Sequence, residues 1–250
     1  MSHLKFLAFD TSTDVLSLAL TDGAQIWSYE GAGGAQASAQ LIPQALRLLT
    51  QAGLKLSELD AIVLGRGPGS FTGLRTACAV AQGLAFGASL PVLPVDTLLA
   101  VAEQARCDWP AAAQTSEELH VLALLDARMD EVYEAAYAWQ GAEKGWREVQ
   151  TLRVSKPEAV GIEDLSSGLW LCAGNALAPY GDRLLQALPA GLPHQQALPT
   201  AQALLRLAPG LWQAGQAVPA HEAMPLYVRD KVAFTTDERL AMKSAQTAGA

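Results

Sequence analysis

The sequence predicts an α/β protein of two similarly built lobes, and three observations carry that expectation. An apolar strand, Leu4 to Phe9, ends in Asp10 and is followed by two more strands, at Val15–Leu20 and Gln25–Tyr29, and then by helices. The same order restarts at Leu119, where an apolar run reaches Asp126 and two strands follow, at Glu131–Trp139 and Trp146–Val154. Asp10 and Asp126 therefore sit at matching points, although no residue-level repeat accompanies the order. Finally, half of the 250 residues are hydrophobic and only 17% are charged, which suits a chain with a sizeable core. The order divides the chain into an N-terminal lobe over 1–108, a C-terminal lobe over 119–236 and a small, polar, frayed tail over 237–250. Cys107–Ser116, with Pro110 and a run of alanines, is the boundary between the lobes.

In the first lobe, Gly31–Gly34 reads as a flexible connection. Ser38 to Gly53 then reads as a helix with apolar residues at 41, 42, 45, 46, 48, 49 and 52. Those positions make two adjacent stripes, wider than one core-facing stripe requires. Leu59–Leu64 and Pro91–Val95 are strands, and Asp96 or Thr97 caps a helix to about Arg106. In the second lobe, Ser155 opens a capped helix with Pro157 in its first turn, and Leu169–Cys172 is a strand turning at Gly174-Asn175. Helices follow at Pro179–Leu188 and Thr200–Gln213.

Between the strand Ala61–Leu64 and the next helix, Gly65, Gly67, Pro68, Gly69 and Gly73 fall within nine residues. The backbone must turn sharply there and can approach another group closely. Ser70 or Thr72 can cap the helix, leaving amides at a positive helix end where a phosphate or carboxylate could sit. The other reading is a tight turn that binds nothing, and the glycines leave both open. Three common loops are excluded. No lysine occurs between Lys55 and Lys144, as a Walker-type loop would need. Ser70 stands where a dinucleotide fingerprint needs glycine, and Pro68 and Thr72 flank Ser70 where a nucleophile elbow needs two glycines. In the helix that follows, Gly73, Ala77, Ala81 and Ala85 recur every four residues and form a strip of small side chains. Such a helix is either buried on all sides or half-covered by a partner.

A net charge of −8 and seventeen scattered basic residues weigh against a nucleic-acid binder. Four histidines without His-x-x-x-His or Cys-x-x-Cys spacing predict no metal site. Three separated cysteines, Cys78, Cys107 and Cys172, read as buried thiols in a reducing cytoplasm, and no apolar run is long enough for a membrane span. The purely structural role for Asp10 is a hydrogen bond to the turn amides of Ser12 and Thr13; the functional one is to coordinate a metal or orient a water.

The strand–Asp–meander order resembles the fold shared by actin, sugar kinases and Hsp70, with two RNase H-like mixed-sheet lobes about a nucleotide cleft. Four stretches narrow the resemblance: Phe9-Asp10-Thr11-Ser12, Gly65 to Arg75, Asp126 to Tyr133 and Pro225-Leu226-Tyr227-Val228-Arg229. Together they resemble the TsaB family, also called YeaZ, the non-catalytic partner in bacterial tRNA threonylcarbamoyladenosine synthesis. The resemblance implies a subunit that pairs with the catalytic paralogue TsaD, works with the ATPase TsaE, meets tRNA only through that complex, and can form homodimers through the same helices. It implies a docking face on helices 38–53 and 72–87, with Leu41, Ala45, Leu48, Thr72, Gly73, Thr76, Ala77, Val80 and Ala81 in the interface. Asp10, Thr11, Ser12, Gly67, Gly69, Ser70, Asp126 and Arg128 would face any nucleotide or phosphate. TsaD binds metal through a His-x-x-x-His pair, and the matching stretch here, Gln36 to Pro43, has no histidine, so no catalytic or metal residue carries over. The family's frequent histidine is also missing at Ala37. Ala173-Gly174-Asn175-Ala176 lacks the paired glycines of nucleotide-binding members, which implies weak ATP or ADP binding at most and no required cofactor. The competing expectation is a stand-alone enzyme, a small-molecule kinase or a glycoprotease-like peptidase.

Overall fold

In a computed structural model, residues 3–110, 118–164 and 168–228 are described. Arg229 and the tail over 237–250 lie outside them, as does most of the proposed boundary segment. Five strands form the first sheet: β1 Phe6–Asp10, β2 Val15–Thr21, β3 Ile26–Ala32, β4 Ala61–Gly67 and β5 Val92–Asp96. Their order is β3-β2-β1-β4-β5. The second sheet holds β6 Leu119–Arg128, β7 Glu131–Trp139, β8 Trp146–Ser155, β9 Leu169–Ala173 and the two-residue β10 His194–Gln195. Its order, β8-β7-β6-β9-β10, repeats the first sheet strand for strand. In both, an antiparallel meander is followed by parallel pairing onto the first strand. The fold is thus α/β with two duplicated mixed-sheet lobes, as the order of elements predicts.

Five helices cover these sheets: α1 Ala37–Ala52, α2 Phe71–Ala88, α3 Thr97–Asp108, α4 Leu177–Ala187 and α5 Ala201–Gln213. Strand alternation decides which helix each face meets. Leu7 and Phe9 of β1 face α1 and α2, joined by Leu16, Leu18, Leu20, Ile62 and Leu64. Phe6 and Ala8 point the other way, onto Leu204, Leu205 and Ala208 of α5. In β6, Val121, Ala123 and Leu125 meet Leu98, Val101, Ala102 and Ala105 of α3, while Leu122 and Leu124 meet Leu177 and Leu184 of α4. The layers therefore run α1/α2, first sheet, α3/α5, second sheet, α4. The two middle helices are exchanged between sequence halves: α3 follows β5 yet packs on the second sheet, and α5 follows β10 yet covers the first.

Glu103 of α3 ties this middle layer. Its buried carboxylate accepts from Arg106 of the same helix, Arg206 of α5 and the Trp146 indole of β8, all within 3.0 Å. Those partners outweigh burial, which opposes the charge, and hold the carboxyl below its usual range.

One sequence expectation fails outright. After Ser155 the chain makes only a 3₁₀ turn at Pro157–Ala159, not a helix, because no amphipathic run follows the cap. Cys78 and Cys172 are buried, and burial pushes their thiols up to about 11 and about 12; Cys107, expected to be buried as well, is exposed near the end of α3. No helix among the described residues is long and apolar enough to cross a membrane.

Candidate functional site

The hairpin turns β1–β2 and β6–β7 point into a cavity of about 330 Å³ between the lobes. Ser12, Thr13, Asp14, Gly69, Ser70, Phe71 and Thr72 line it from the first lobe, and Asp126, Arg128, Tyr133 and Asn175 from the second. Each turn is built on an aspartate in the same way. Asp10 Oδ1 accepts from the Ser12 amide at 2.8 Å, and Asp126 Oδ1 accepts from the Arg128 amide at 2.8 Å. The structural role expected of Asp10, a bond to turn amides, is thus present at Ser12.

The two carboxylates nonetheless differ. Asp10 is fully buried, its Oδ1 also takes the Ser12 hydroxyl at 2.6 Å, and its Oδ2 has no hydrogen-bond partner. Burial pushes the carboxyl up to about 6 against the Ser12 hydrogen bonds and a smaller pull from the nearby Thr97 hydroxyl. Asp126 instead lines the cavity and takes the Tyr180 hydroxyl at 3.1 Å and the Arg128 guanidinium at 3.1 Å, while its amide donates to Asn175 Oδ1 at 2.8 Å. Arg128 also reaches across to Asp14 at 2.9 Å, an ion pair between the two hairpin tips. Its turn is unusual, since Arg128, Met129 and Asp130 all have positive φ (59°, 57° and 61°) without a glycine among them. That conformation costs about 1–2 kcal/mol per residue and aims the arginine over the cavity mouth.

The raised Asp10 pKa gives a pH test. Between about pH 4 and pH 6 the folded protein holds a proton on Asp10 that the unfolded chain releases, so stability falls as pH rises through that window, by about 3 kcal/mol in all. Asp10→Asn keeps the carbonyl that Ser12 bonds and removes the titration. Urea unfolding at pH 4, 5, 6 and 7 is expected to show the variant gaining on the wild type as pH rises. Parallel profiles would show that Asp10 carries no such penalty.

The glycine loop packs closely on the first hairpin turn. A Cβ on Gly65 would lie 1.9 Å from Asp10 Oδ2, one on Gly69 2.5 Å from Ser12 Cβ, and one on Gly73 1.9 Å from the Thr11 carbonyl. The glycines let this loop press against the first hairpin turn. Ser70 caps α2 by accepting from the Gly73 amide, and the Thr11 hydroxyl donates to the Gly73 carbonyl at 2.7 Å. Of the residues expected to face a phosphate, Ser12, Gly69, Ser70, Asp126 and Arg128 line the cavity, whereas Asp10, Thr11 and Gly67 are buried beneath it.

The expected docking residues need a larger correction. Leu41, Ala45 and Leu48 of α1, with Gly73, Ala77 and Ala81 of α2, are buried in the protein's own core, so they present no surface. The small-residue strip lets α2 lie close to the first sheet and hairpin instead. Only Thr72, exposed, and Thr76 and Val80, half-buried, remain on the outer side. The second apolar stripe of α1 is exposed, with Ile42 at 42% and Leu46 at 51%, and on α2 Phe86 is 83% exposed.

Sequence reasoning missed Asp14, Asn175, Tyr180 and Tyr227 as site residues. Asn175 followed the noted Gly174 turn and Tyr227 lay in a noted motif; Asp14 and Tyr180 carried no signal beyond neighbourhood. No histidine lines the cavity, and no group of three or more His, Cys, Asp or Glu gathers as a metal site among the described residues.

A family model described as TsaD, tRNA N6-adenosine threonylcarbamoyltransferase, matches residues 34–158. The tRNA threonylcarbamoyladenosine biosynthesis protein TsaB of Escherichia coli K12 is 35% identical over 234 residues, covering 92% of this chain and 97% of that protein. TsaB of Haemophilus influenzae is 34% identical over 240 residues, covering 94% and 97%. The structure of YeaZ from Pseudomonas aeruginosa superposes with a TM-score of 0.78 at 36% identity, covering 90% of this chain and 99% of that one. With the duplicated lobes, the aspartate-tipped hairpins and the glycine loop in place, the chain belongs to the TsaB (YeaZ) family of tRNA threonylcarbamoyladenosine biosynthesis proteins.

Proposed function

We propose that the chain is a non-catalytic subunit of the threonylcarbamoyl-transfer machinery, docking on TsaD through the outer faces of α1 and α2 and working with TsaE in the cytoplasm. The observation that carries this is the exposed apolar surface of Ile42, Leu46 and Phe86 on two helices that pack side by side. Large exposed apolar side chains on neighbouring elements mark interaction surfaces, and obligate interfaces are apolar at their centre. The same surface serves a homodimer when TsaD is absent. The cavity supports the non-catalytic reading: Ser70 caps α2, no histidine among the described residues lines it as a base, and Asp10 is fully buried. No cofactor is required, and a nucleotide at the cavity binds weakly, because Arg128 is already engaged by Asp14 and Asp126. With a net charge of −8, the chain meets tRNA only through the complex.

The test is Leu46→Glu and Phe86→Glu, separately and combined. Both sites are exposed, so circular dichroism is expected to be unchanged while co-elution with TsaD is lost, with affinity falling about a hundredfold or more for the pair as two charges enter an apolar interface. Retained co-elution by the folded double variant would move the docking surface elsewhere. ATP–magnesium turnover by the chain alone would favour the enzyme reading instead.

A further inference from the structure

After α5 the chain bridges to β5, where Val218 pairs with Val92, makes a 3₁₀ turn at Ala220–Glu222, and then returns to the cavity over 223–228 without regular secondary structure. This segment is anchored on the first lobe at three points. The Ala223 carbonyl accepts from Gln82 Nε2 at 2.9 Å, the Leu226 amide donates to the Arg66 carbonyl at 2.7 Å, and the Tyr227 hydroxyl accepts from Arg75 Nε at 2.9 Å. The Arg75 guanidinium lies over the Phe71 ring at 3.7 Å, and the Phe71 and Tyr227 rings are 5.4 Å apart. All of these partners belong to the end of β4 or to α2. One residue further on, Val228, half-buried, packs against the apolar cluster that contains Leu125, Ala127 and Tyr133 of the second lobe.

Between Leu226 and Val228 the backbone therefore passes from one lobe to the other, and Leu226, Tyr227 and Val228 all line the cavity as it does so. Gly67 is fitted to this path. It is buried, does not line the cavity, and a Cβ on it would lie 2.7 Å from the Leu226 carbonyl. Its φ of 121° already calls for glycine, and the seating of Leu226 adds a steric reason that no ligand is needed to supply.

Among the described residues, the Arg128–Asp14 pair also ties the lobes at the cavity mouth, and both side chains are mostly exposed. Such pairs contribute roughly 0–1 kcal/mol. The backbone crossing is the more substantial tie, yet its anchors are modest. Arg75 and Tyr227 are exposed, so their hydrogen bond competes with water, and a typical net hydrogen bond is worth about 0.5–1.5 kcal/mol. Release of the segment thus falls among the partial openings that occur well below global unfolding.

We infer that Ala223–Val228 is a strap that holds the two lobes closed over the cavity, so that its release from α2 opens the cleft. This inference does not depend on docking to TsaD, because every contact that carries it lies within one chain.

Backbone hydrogen exchange on the full chain tests it, comparing the wild type with Arg75→Ala, Tyr227→Ala and the conservative Tyr227→Phe. The informative probe is the second-lobe turn Asp126–Met129, which lines the same cavity from the other lobe; α5 serves as the reference for global stability. Arg75→Ala and Tyr227→Ala are each expected to speed exchange at Asp126–Met129 by about fivefold or more with α5 unchanged, and Tyr227→Phe to have a smaller effect. Faster exchange confined to residues 223–228 and the first turn of α2 would overturn the strap, reducing the segment to local packing. Should Tyr227→Ala lower global stability, α5 will report it; Arg75→Ala, which leaves Leu226 and Val228 in place, then decides between the two outcomes.

Discussion

Ala81→Glu is expected to unfold the protein rather than to block a partner. Ala81 is completely buried between α2 and the first sheet, within the cluster formed by Leu7, Phe9 and Leu64. A glutamate there buries an unpaired charge and overfills a close contact at once, costing several kcal/mol. Domains of ordinary stability have only about 5–15 kcal/mol in total. Loss of the cooperative melt in circular dichroism is the expected result. A folded, soluble Ala81→Glu that merely fails to assemble would return the small-residue strip to the docking face.

Gly73→Ala is the second large effect, and it has a control on the same helix. The added methyl carbon would stand 1.9 Å from the Thr11 carbonyl oxygen, a backbone atom held by the hydrogen bond that Thr11 donates to the Gly73 carbonyl. Either α2 or the first hairpin turn must shift, so a loss of about 3 kcal/mol is expected in urea unfolding. Gly83, nearly three turns on, is exposed, with nothing within 4 Å of its added carbon. Gly83→Ala is therefore expected to stabilise the protein, by about 0.5–1 kcal/mol. Equal effects at the two positions would contradict the close approach of α2 to the hairpin.

The contrast between Ala81 and Phe86 shows where sequence pattern stops informing. Nine strands were legible because apolar runs and turn residues are local signals, and the repeated strand–aspartate order exposed the duplication. The two-residue β10 was too short to leave a pattern, and the cap after Ser155 suggested a helix that no apolar periodicity supported. In α1 the two stripes were both visible, but periodicity does not say which stripe meets the sheet. Leu41, Ala45 and Leu48 took the inside, leaving Ile42 and Leu46 outside. For α2 the small residues suggested close helix contact, and closeness was right; the neighbour was the sheet and hairpin of the same chain. The cavity was legible only at its aspartate-tipped turns and glycine loop. Its remaining wall comes from Asn175, Leu226 and Tyr227, which lie 49 to over 200 residues from the turns they join, and no local signal spans such separations.

The exchange of α3 and α5 between the halves sets the unit in which this chain folds. Cut after Asp108, the first half would carry Leu98, Val101, Ala102 and Ala105 on a helix whose sheet was missing, and its own sheet would lose the cover that Leu204, Leu205 and Ala208 provide over Phe6 and Ala8. The second half would be stripped in the complementary way. Neither repeat is a self-sufficient module, so synthesis of the first lobe on the ribosome cannot complete its packing until α5, some hundred residues later, has emerged.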